Sequence, residues 1–282
     1  MSRNKQRVNA ANNPAAATES TTSSQPATLS YVTPTEFVEL PSRGRFYPPD
    51  HPLHNKEVIE MRYMTAKDED ILTSPSLLKN GLALERLLES LVVDKSIQPK
   101  KMLVGDRNAL LIAARISGYG EDYSVKMACP ACGASADYDV DLSNISSTGM
   151  LPDEDSQVQL TDHGTFSTVL PKTNFTVEFR LLTGEDEGYL TQASEKLKKL
   201  KLPDATATNL LKRVLVSVNG VNAPSEISHF VDSMPALDAR FLRGCVQTVT
   251  PNVDMSHEIN CASCGAITET AVPFTVQFFW PQ

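Results

Sequence analysis

Four of the five cysteines in this 282-residue chain occur in two short frames of the same form, Cys-x-x-Cys followed by glycine. The first frame contains Cys129 and Cys132, and the second contains Cys261 and Cys264. Two thiolates on one tight turn can bind the same tetrahedral metal ion, so the two frames together predict a structural zinc site with four cysteine ligands. In a zinc ribbon the two pairs lie roughly 15–20 residues apart. Here 128 residues lie between Cys132 and Cys261, and this separation requires an explanation.

An internal duplication would explain the separation, because the second half of the chain repeats the order of features in the first half. The repeated features keep nearly constant offsets of 130, 118 and 132 residues, and they are Leu40-Pro41 with Leu170-Pro171, Arg62 with Arg180, and Asp106 with Asp238. In each half we expect a strand, a Leu-Pro turn, a second strand, a capped helix, further helices and a cysteine hairpin. Several matches in the same order favour a duplication over chance.

The changes of offset predict where the two halves differ. The decrease to 118 places 12 extra residues of the first half within residues 42–55, and the increase to 132 places 14 extra residues of the second half near residues 196–201. Insertions in a duplicated scaffold usually form surface loops, and such loops often carry recognition.

We therefore predict an α+β fold built from two copies of one unit, each with a strand hairpin, helices and a zinc-knuckle hairpin. A pseudo-twofold axis would relate the copies, and a split Cys₄ site with one zinc ion per chain would clamp them. The predicted segments are a disordered tail of polar composition at residues 1–33, a first repeat at 34–142, a linker at 143–160 and a second repeat at 161–282. Pairing of the knuckles of two chains is the alternative geometry.

Local signals place the main elements. Thr65 and Thr183 each precede an acidic first helical turn and are predicted to cap a helix. Asp106 is predicted to cap a further helix, which ends at Gly118. Apolar residues alternate on both sides of the first cysteine pair, which predicts a hairpin with the cysteines at its tip. The alternation over residues 272–280 predicts a strand that leaves the second pair.

Composition limits the class of partner. The formal net charge is −8, which argues against sequence-independent binding to DNA or RNA, because such binding depends on neutralising phosphates. The hydrophobic content of 41% is enough for a core. No apolar run approaches the roughly 18 residues of a spanning helix, and the N-terminus lacks the apolar segment of a signal peptide, so we expect no membrane association.

The cysteines have interpretations other than zinc binding. A redox dithiol, a disulfide or a site only partly occupied by metal would use the same residues. Each pair lies in the middle of a predicted hairpin rather than at a strand-to-helix turn, and this favours zinc. Cys245 lies in an apolar run and is interpreted as a core residue. His257 is better explained as a surface residue than as a neighbour of the metal ligands.

No pattern in the sequence indicates catalysis. A closed Cys₄ shell has no open coordination position, and no phosphate-binding loop, nucleophile elbow or His-Glu-x-x-His frame occurs. The strongest candidate for partner binding is the loop that contains Arg43, Arg45, Phe46 and Tyr47, because arginine and aromatic residues are enriched at interface anchors. The alternative is a loop that folds back onto its own domain and buries both aromatic rings.

Four runs of residues resemble one known family. They are ELPSRGRFYP at residues 39–48, MTAKDEDILT at 64–73, VGDRNA at 104–109 and GYG at 118–120, and they resemble the T4-type bacteriophage baseplate hub family. The resemblance covers mainly residues 35–142 and is weaker over the second half. It implies a phage tail protein, either part of the central baseplate hub or a factor for hub assembly, without enzymatic activity. The zinc site rests on the cysteines and not on the resemblance.

These observations together predict a non-enzymatic structural or assembly protein of a contractile-tailed phage. Its partners would be other baseplate hub and tail proteins, and an oligomer is compatible with this role. It would be found in the virion tail, or in the host cytoplasm during assembly. One alternative is a zinc-ribbon regulator of host transcription, which would need basic residues clustered on one face. Another is an assembly chaperone that is absent from the mature virion.

Overall fold

Short antiparallel hairpins and helices alternate along the chain in the computed structural model, which describes residues 32–149, 156–272 and 276–279. The fold is therefore mixed α and β with small sheets, as the sequence predicted. The described residues from Thr33 onwards form one compact unit. The predicted tail at residues 1–33 lies almost wholly outside the described residues. Among the helices of the described part, none combines the length and the apolar character needed to cross a membrane.

The helices follow from apolar periodicity and from their first turns. In α3, Leu87, Leu88 and Leu91 lie on one face and are fully buried, as the spacing of the leucines predicts. The helices of the described residues are α1 (Ala66–Thr73), α2 (Pro75–Lys79), α3 (Ala83–Leu91), α4 (Val104–Tyr119), α5 (Gly184–Lys199), α6 (Thr206–Val214), α7 (Pro224–Ser233) and α8 (Ala236–Val249). Single 3₁₀ turns occur at Pro99–Lys101, Leu142–Asn144 and Val276–Phe279.

The strands are short, and most of them are joined in hairpins. They are β1 (Thr35–Glu39), β2 (Val58–Arg62), β3 (Asp122–Ala128), β4 (Ser135–Asp141), β5 (Ser147–Thr148), β6 (Val158–Leu160), β7 (Phe166–Val169), β8 (Thr176–Phe179), β9 (Leu215–Val218), β10 (Asn252–Val253), β11 (Ser256–Asn260) and β12 (Ile267–Ala271). β1 pairs with β2, β3 with β4, β5 with β10 and β11 with β12, and a four-stranded sheet has the order β6-β7-β8-β9. All of these pairings are antiparallel.

Each half of the chain begins its first helix with the same ionic contact. Arg62, the last residue of β2, donates from its two terminal nitrogens to the two carboxylate oxygens of Asp68 at 2.7 and 2.8 Å. Arg180, directly after β8, donates to Asp186 at 2.6 and 2.9 Å. Each carboxylate also accepts the backbone N–H of the threonine that precedes the helix, at 2.9 Å in both halves. Paired hydrogen bonds between charged groups are strong and fix orientation. The bond from each threonine N–H to the aspartate of the first helical turn confirms the predicted capped helices.

A second contact also occurs in both halves, between a Leu-Pro turn and the first turn of a long helix. In α4 the carboxylate of Asp106 accepts the backbone N–H of Ser42 at 2.9 Å and its hydroxyl at 2.6 Å. In α8 the carboxylate of Asp238 accepts the backbone N–H groups of Lys172 and Thr173 at 2.7 and 3.1 Å. Both carboxyl groups are fully buried. A buried carboxylate needs hydrogen-bond donors, so each one fixes the position of its turn against its helix.

The prediction that Asp106 caps a helix is wrong. α4 begins at Val104, and Asp106 lies inside the first turn, where its carboxylate binds Ser42 instead of a free N–H group of the helix. The helix ends at Tyr119, one residue after the predicted end at Gly118.

The predicted exit strand over residues 272–280 is also wrong where the structure describes it. β12 ends at Ala271, and Val276–Phe279 forms a 3₁₀ turn. Phe278 and Phe279 are both fully buried, whereas a strand would direct neighbouring side chains to opposite faces. The carbonyl of Phe278 accepts a hydrogen bond from Nε of the buried Arg115 at 3.0 Å, and this contact holds the turn against α4. Phe274 and Trp280 lie outside the described residues.

The segment predicted as a linker and the predicted insertion in the second half both contain regular structure. Residues 143–160 include β5 and β6, which pair with β10 and β7, while residues 150–155 lie outside the described part. The extra length of the second half lies in two places. α5 has 16 residues where α1 has 8, and α7 adds 10 residues between β9 and α8.

The Arg62–Asp68 contact predicts a loss of stability in acid. Burial alone would raise the pKa of Asp68, but hydrogen bonds from Arg62, Thr65 and Ser90 lower it below its usual range. A lowered pKa in the folded state means that the contact stabilises the fold fully above the unfolded pKa of about 3.9 and is lost as the pH falls below it. We expect Asp68→Asn to cost about 3 kcal/mol at pH 7, and the difference from wild type to shrink below about pH 4.

Urea unfolding at a series of pH values measures this difference. Asp70→Asn on the exposed face of α1 is the matched control and should stay within about 0.5 kcal/mol of wild type. A cost for Asp68→Asn that does not change between pH 7 and pH 3 would show that the charge is not what stabilises the contact.

Candidate metal centre and surface loop

The two cysteine frames lie at the tips of two hairpins with the same turn geometry. In the β3–β4 hairpin the backbone N–H of Cys129 donates to Ala134 at 2.8 Å, and in the β11–β12 hairpin that of Cys261 donates to Ala266 at 3.0 Å. A glycine follows each pair and adopts the left-handed backbone that this turn requires, with φ +75° at Gly133 and +69° at Gly265. Each cysteine pair thus lies between the two strands of a hairpin, as predicted.

The structure brings all four predicted ligands together. The sulfur of Cys129 lies 3.9 Å from that of Cys264, and the sulfur of Cys132 lies 3.7 Å from that of Cys261. The four sulfurs lie within 4.8 Å of one another, so the group can hold a metal ion. Zinc–sulfur bonds of about 2.3 Å in a regular tetrahedron place the sulfurs roughly 3.8 Å apart. The distances of 3.9 and 3.7 Å fit that geometry, and all four residues are free thiols rather than disulfides.

The pKa values of Cys261 and Cys264 are shifted in opposite directions by hydrogen bonds and by the neighbouring sulfurs. Backbone N–H groups of Cys264 and Ser263 lower the pKa of Cys261 to about 6. The backbone N–H of Ala266 favours the thiolate of Cys264, but the neighbouring sulfurs, first that of Cys132, raise the pKa of Cys264 to about 12. Four thiolates at these distances repel one another, and a bound cation would remove this repulsion.

Tyr138 on β4 carries a buried hydroxyl oxygen with no hydrogen-bond partner among the described residues. Burial and then the charges of the four cysteines raise the pKa of Tyr138, so its hydroxyl keeps its proton close to the sulfurs. Thiolates bound to a metal accept weak hydrogen bonds, and such outer contacts orient ligands. His257 on β11 is half-buried and is not one of the four grouped ligands.

The loop between β1 and β2 is folded onto the protein at its centre. Tyr47 is only 3% exposed, and its hydroxyl donates to Asp106 at 2.7 Å and accepts the backbone N–H of Leu103 at 2.9 Å. The Phe46 ring lies 5.3 Å from that of Phe166 and is half-buried. Tyr47 is therefore a core residue, and a partner could reach only the other residues of the predicted anchor.

Two histidines pack against Tyr47 and stabilise this loop. The ring of His51 stacks on Tyr47 at 4.4 Å, and Nδ1–H of His54 donates to the Tyr47 carbonyl at 2.7 Å. The side chains of Arg43 and Arg45 are exposed. They line a polar groove of about 420 Å³ between the loop and the segment around β5 and β10.

Comparison with known proteins identifies the family. The sequence model of the family described as T4 bacteriophage base plate protein matches residues 35–280. The chain belongs to this family. No curated protein and no solved structure matches it. The match covers both halves and all four cysteines, and so it extends well beyond residues 35–142, on which the resemblance rested.

Membership in the family supports a structural role in the phage baseplate, with other baseplate or tail proteins as partners. The description of the family specifies the baseplate but not the hub. The exposed loop residues and the cysteine group of this baseplate protein are therefore its main candidate functional features.

Sequence reasoning missed two parts of this arrangement. Tyr47 and Asp106 are 59 residues apart in the chain, and their hydrogen bond has no local signature. Arg115 is 1% exposed and donates to three backbone carbonyls, those of Phe278, Gly120 and Asp122. An arginine in an otherwise apolar helical stretch was the available signal for that contact.

The hydroxyl of Tyr47 gives a test of the folded-back loop. We expect Tyr47→Phe to lower the free energy of unfolding by about 1–3 kcal/mol, because the change removes one donor to the buried Asp106 and leaves the N–H of Leu103 unpaired. Tyr63→Phe, at a position 38% exposed, is the control and should stay within about 0.5 kcal/mol. Chemical denaturation measures both variants. Equal stability of Tyr47→Phe and wild type would contradict a structural role for this hydroxyl.

Proposed function

We propose that this baseplate protein is a non-enzymatic structural or assembly component of the central baseplate hub, stiffened by one structural zinc ion. The observation that carries the proposal is the meeting of four cysteine sulfurs from hairpins in opposite halves of a chain of the baseplate family. A closed shell of four thiolates offers no position for substrate or water. Zinc at this position would therefore act on stability and rigidity and not on chemistry.

The proposed clamp has a favourable energy balance. Structural zinc contributes roughly 10–16 kcal/mol of apparent binding free energy in model peptides, which is comparable with the whole stability of a typical domain, about 5–15 kcal/mol. The ligands come from β3–β4 and β11–β12, which otherwise belong to separate two-stranded sheets. A protein that transmits force or holds fixed geometry in a particle benefits from such a connection between its halves.

We also infer that the two halves are copies of one unit related by a pseudo-twofold axis. The inference is supported by the sulfur contacts, because exchange of the two frames converts the Cys129–Cys264 pair into the Cys261–Cys132 pair, and the two distances are 3.9 and 3.7 Å. The Arg–Asp contacts and the contacts of the buried helix aspartates with the Leu-Pro turns support it as well. In each half, the second strand of the hairpin also pairs with a segment that follows the next helices. Met61 of β2 pairs with Val92, and Phe179 of β8 pairs with Leu215 of β9.

Metal analysis of cysteine variants tests the clamp. Purified wild type should contain one zinc ion per chain, and Cys132→Ser and Cys261→Ser should each lose the ion and several kcal/mol of stability, because three thiolates cannot close the shell. Cys245→Ser removes the cysteine outside the group and should keep the zinc. Mass spectrometry under native conditions measures the metal content. Unchanged melting in both ligand variants would reject the clamp.

The same variants distinguish a site within one chain from a site between two chains. A chain with both Cys129 and Cys132 replaced by serine can be mixed with one in which Cys261 and Cys264 are replaced. A site built within one chain predicts no recovery of zinc in the mixture. Recovery of zinc in a complex of two chains would favour pairing between chains.

Mass spectrometry of particles and of complexes from producing cells tests the role in the hub. We expect the tagged chain to recover other baseplate hub proteins. Its presence in purified particles at a fixed ratio to those proteins would support a structural component, and its absence from particles would support an assembly factor. Recovery of RNA polymerase subunits in place of tail proteins would reject the hub proposal. A variant with both Arg43→Ala and Arg45→Ala, which alters only exposed loop residues, should reduce recovery if the loop contacts a partner.

A further inference from the structure

The outer edge of β1 is left open in the described part of the chain, where β1 pairs only with β2. The backbone N–H groups of Leu40 and Tyr63 belong to this pairing, with hydrogen bonds of 2.8 and 2.9 Å. In an antiparallel pair, bonded positions alternate with positions whose N–H and C=O groups point away from the partner strand. By that alternation Thr35, Phe37 and Glu39 direct their backbone groups to the outer edge.

The second half closes the corresponding edge with a strand of its own. β7 occupies the place of β1, and Ser167 corresponds to Phe37 at the offset of 130 set by the Leu-Pro turns. Ser167 lies opposite Gln159 of β6, and Val158 of β6 is buried. A third strand on this edge therefore fits the architecture and adds an apolar side chain to the core.

Among the described residues of the first half, none closes the edge of β1 in the same way. β6 reaches β7 through a tight turn in which the N–H of Thr161 donates to Thr165 at 2.8 Å and Gly164 has φ +75°. Directly before β1, the carbonyl of Pro34 still bonds to the β2 side, and Val32 is 83% exposed. The described residues ahead of β1 thus do not turn back onto the edge.

The surroundings of the edge indicate what kind of segment fits it. Phe37 is 70% exposed, and Val58 and Val93, which lie on the same face of the hairpin, are 43% and 42% exposed. Glu39 is exposed on that face and also lines the groove beside Arg43. In antiparallel pairing centred on Phe37, a second copy would place Thr35 opposite Glu39 and leave that carboxylate without a charged partner, whereas a basic residue there would pair with it. A different chain with apolar and basic residues suits this surface.

We propose that an extended segment of another protein binds the edge of β1 (Thr35–Glu39) as an added antiparallel or parallel strand. The partner would place an apolar side chain over Phe37 and a basic one near Glu39, while its backbone bonds to the edge groups of Thr35, Phe37 and Glu39. Strand addition gives affinity through main-chain hydrogen bonds and specificity through alternate side chains. The identification of the partner as another baseplate protein rests on the proposed function, and the strand addition does not.

Amide hydrogen exchange on the full chain tests the edge directly. The amides of Phe37 and Glu39 should exchange rapidly in the isolated protein, and their exchange should be slower by about a hundredfold or more in the complex purified from phage-producing cells. Slow exchange in the isolated protein at all concentrations would mean that the chain covers its own edge. Slow exchange only at high concentration would mean that a second copy binds there. Either result, or rapid exchange in the complex, overturns the proposal.

A proline at the edge separates backbone pairing from side-chain contact. Phe37→Pro removes an N–H that points away from β2, a position where edge strands tolerate proline, so melting should resemble that of Phe37→Ser. Recovery of the partner should fall about tenfold or more in Phe37→Pro and less than about threefold in Phe37→Ser. Equal loss in both variants would show that the ring, and not the strand edge, makes the contact. Ser167→Pro is the matched control, because it removes the equivalent bond to β6 and should lower melting.

The two proposals can fail separately in these experiments. A chain that assembles with hub proteins while its edge amides exchange rapidly would overturn strand addition and leave the hub role intact. Edge protection by the strand of a protein from outside the baseplate, identified by cross-linking from position 37, would support strand addition and reject the hub role.

Discussion

Buried carboxylates are the constraint on which the rest of this structure depends. Asp68, Asp106, Asp186 and Asp238 are each at most 2% exposed, and an ionised carboxylate at such a position is tolerated only with donors aimed at it. The partners are backbone N–H groups, hydroxyl groups and arginine side chains, so every aspartate joins its helix to a strand, a turn or another helix packed against it. Small hairpins have little stability alone. These contacts fix the hairpins against the helices before any metal is considered.

The cysteine group lies between hairpins of opposite halves, β3–β4 and β11–β12, rather than between elements of one half. Other contacts between the halves exist, such as the ion pair of Arg107 with Glu187 at 2.8 Å and the pairing of β5 with β10. The ion pair is partly exposed and contributes little, whereas the hydrogen bond of the buried Arg115 with the Phe278 carbonyl lies in the core. The four cysteine sulfurs lie close enough together to hold a metal ion, and a bound ion would add a connection of larger magnitude between the two hairpins.

The sequence predicted the parts of the fold that have local signatures. The threonine caps, the leucine face of α3 and the cysteine hairpins each depend on residues within about ten positions, and all are present. The four cysteines that the spacing predicts as ligands also lie together, in a group that could hold a metal ion. Contacts between residues far apart in the sequence were not predicted. Nothing near Asp106 in the sequence indicates that its carboxylate binds Ser42 and not the N–H groups of its own helix. The alternation over residues 272–280 misled for a related reason, because the buried Arg115 requires a carbonyl acceptor that a turn supplies.

The two halves of the chain differ at their sheet edges, in the length of their helices and in the loop between their first two strands. The second half closes its sheet edge with β6 and lengthens its helices, so its additions complete the fold. In the first half, the hydrogen bond of Tyr47 with Asp106 anchors the loop between β1 and β2, while Arg43 and Arg45 stay exposed beside a strand with one open edge. An anchored loop with free charges is pre-organised for binding, because its ordering cost is met during folding and not on association. In the described part of the chain, the exposed arginines of the loop and the open edge of β1 therefore both lie in the first half.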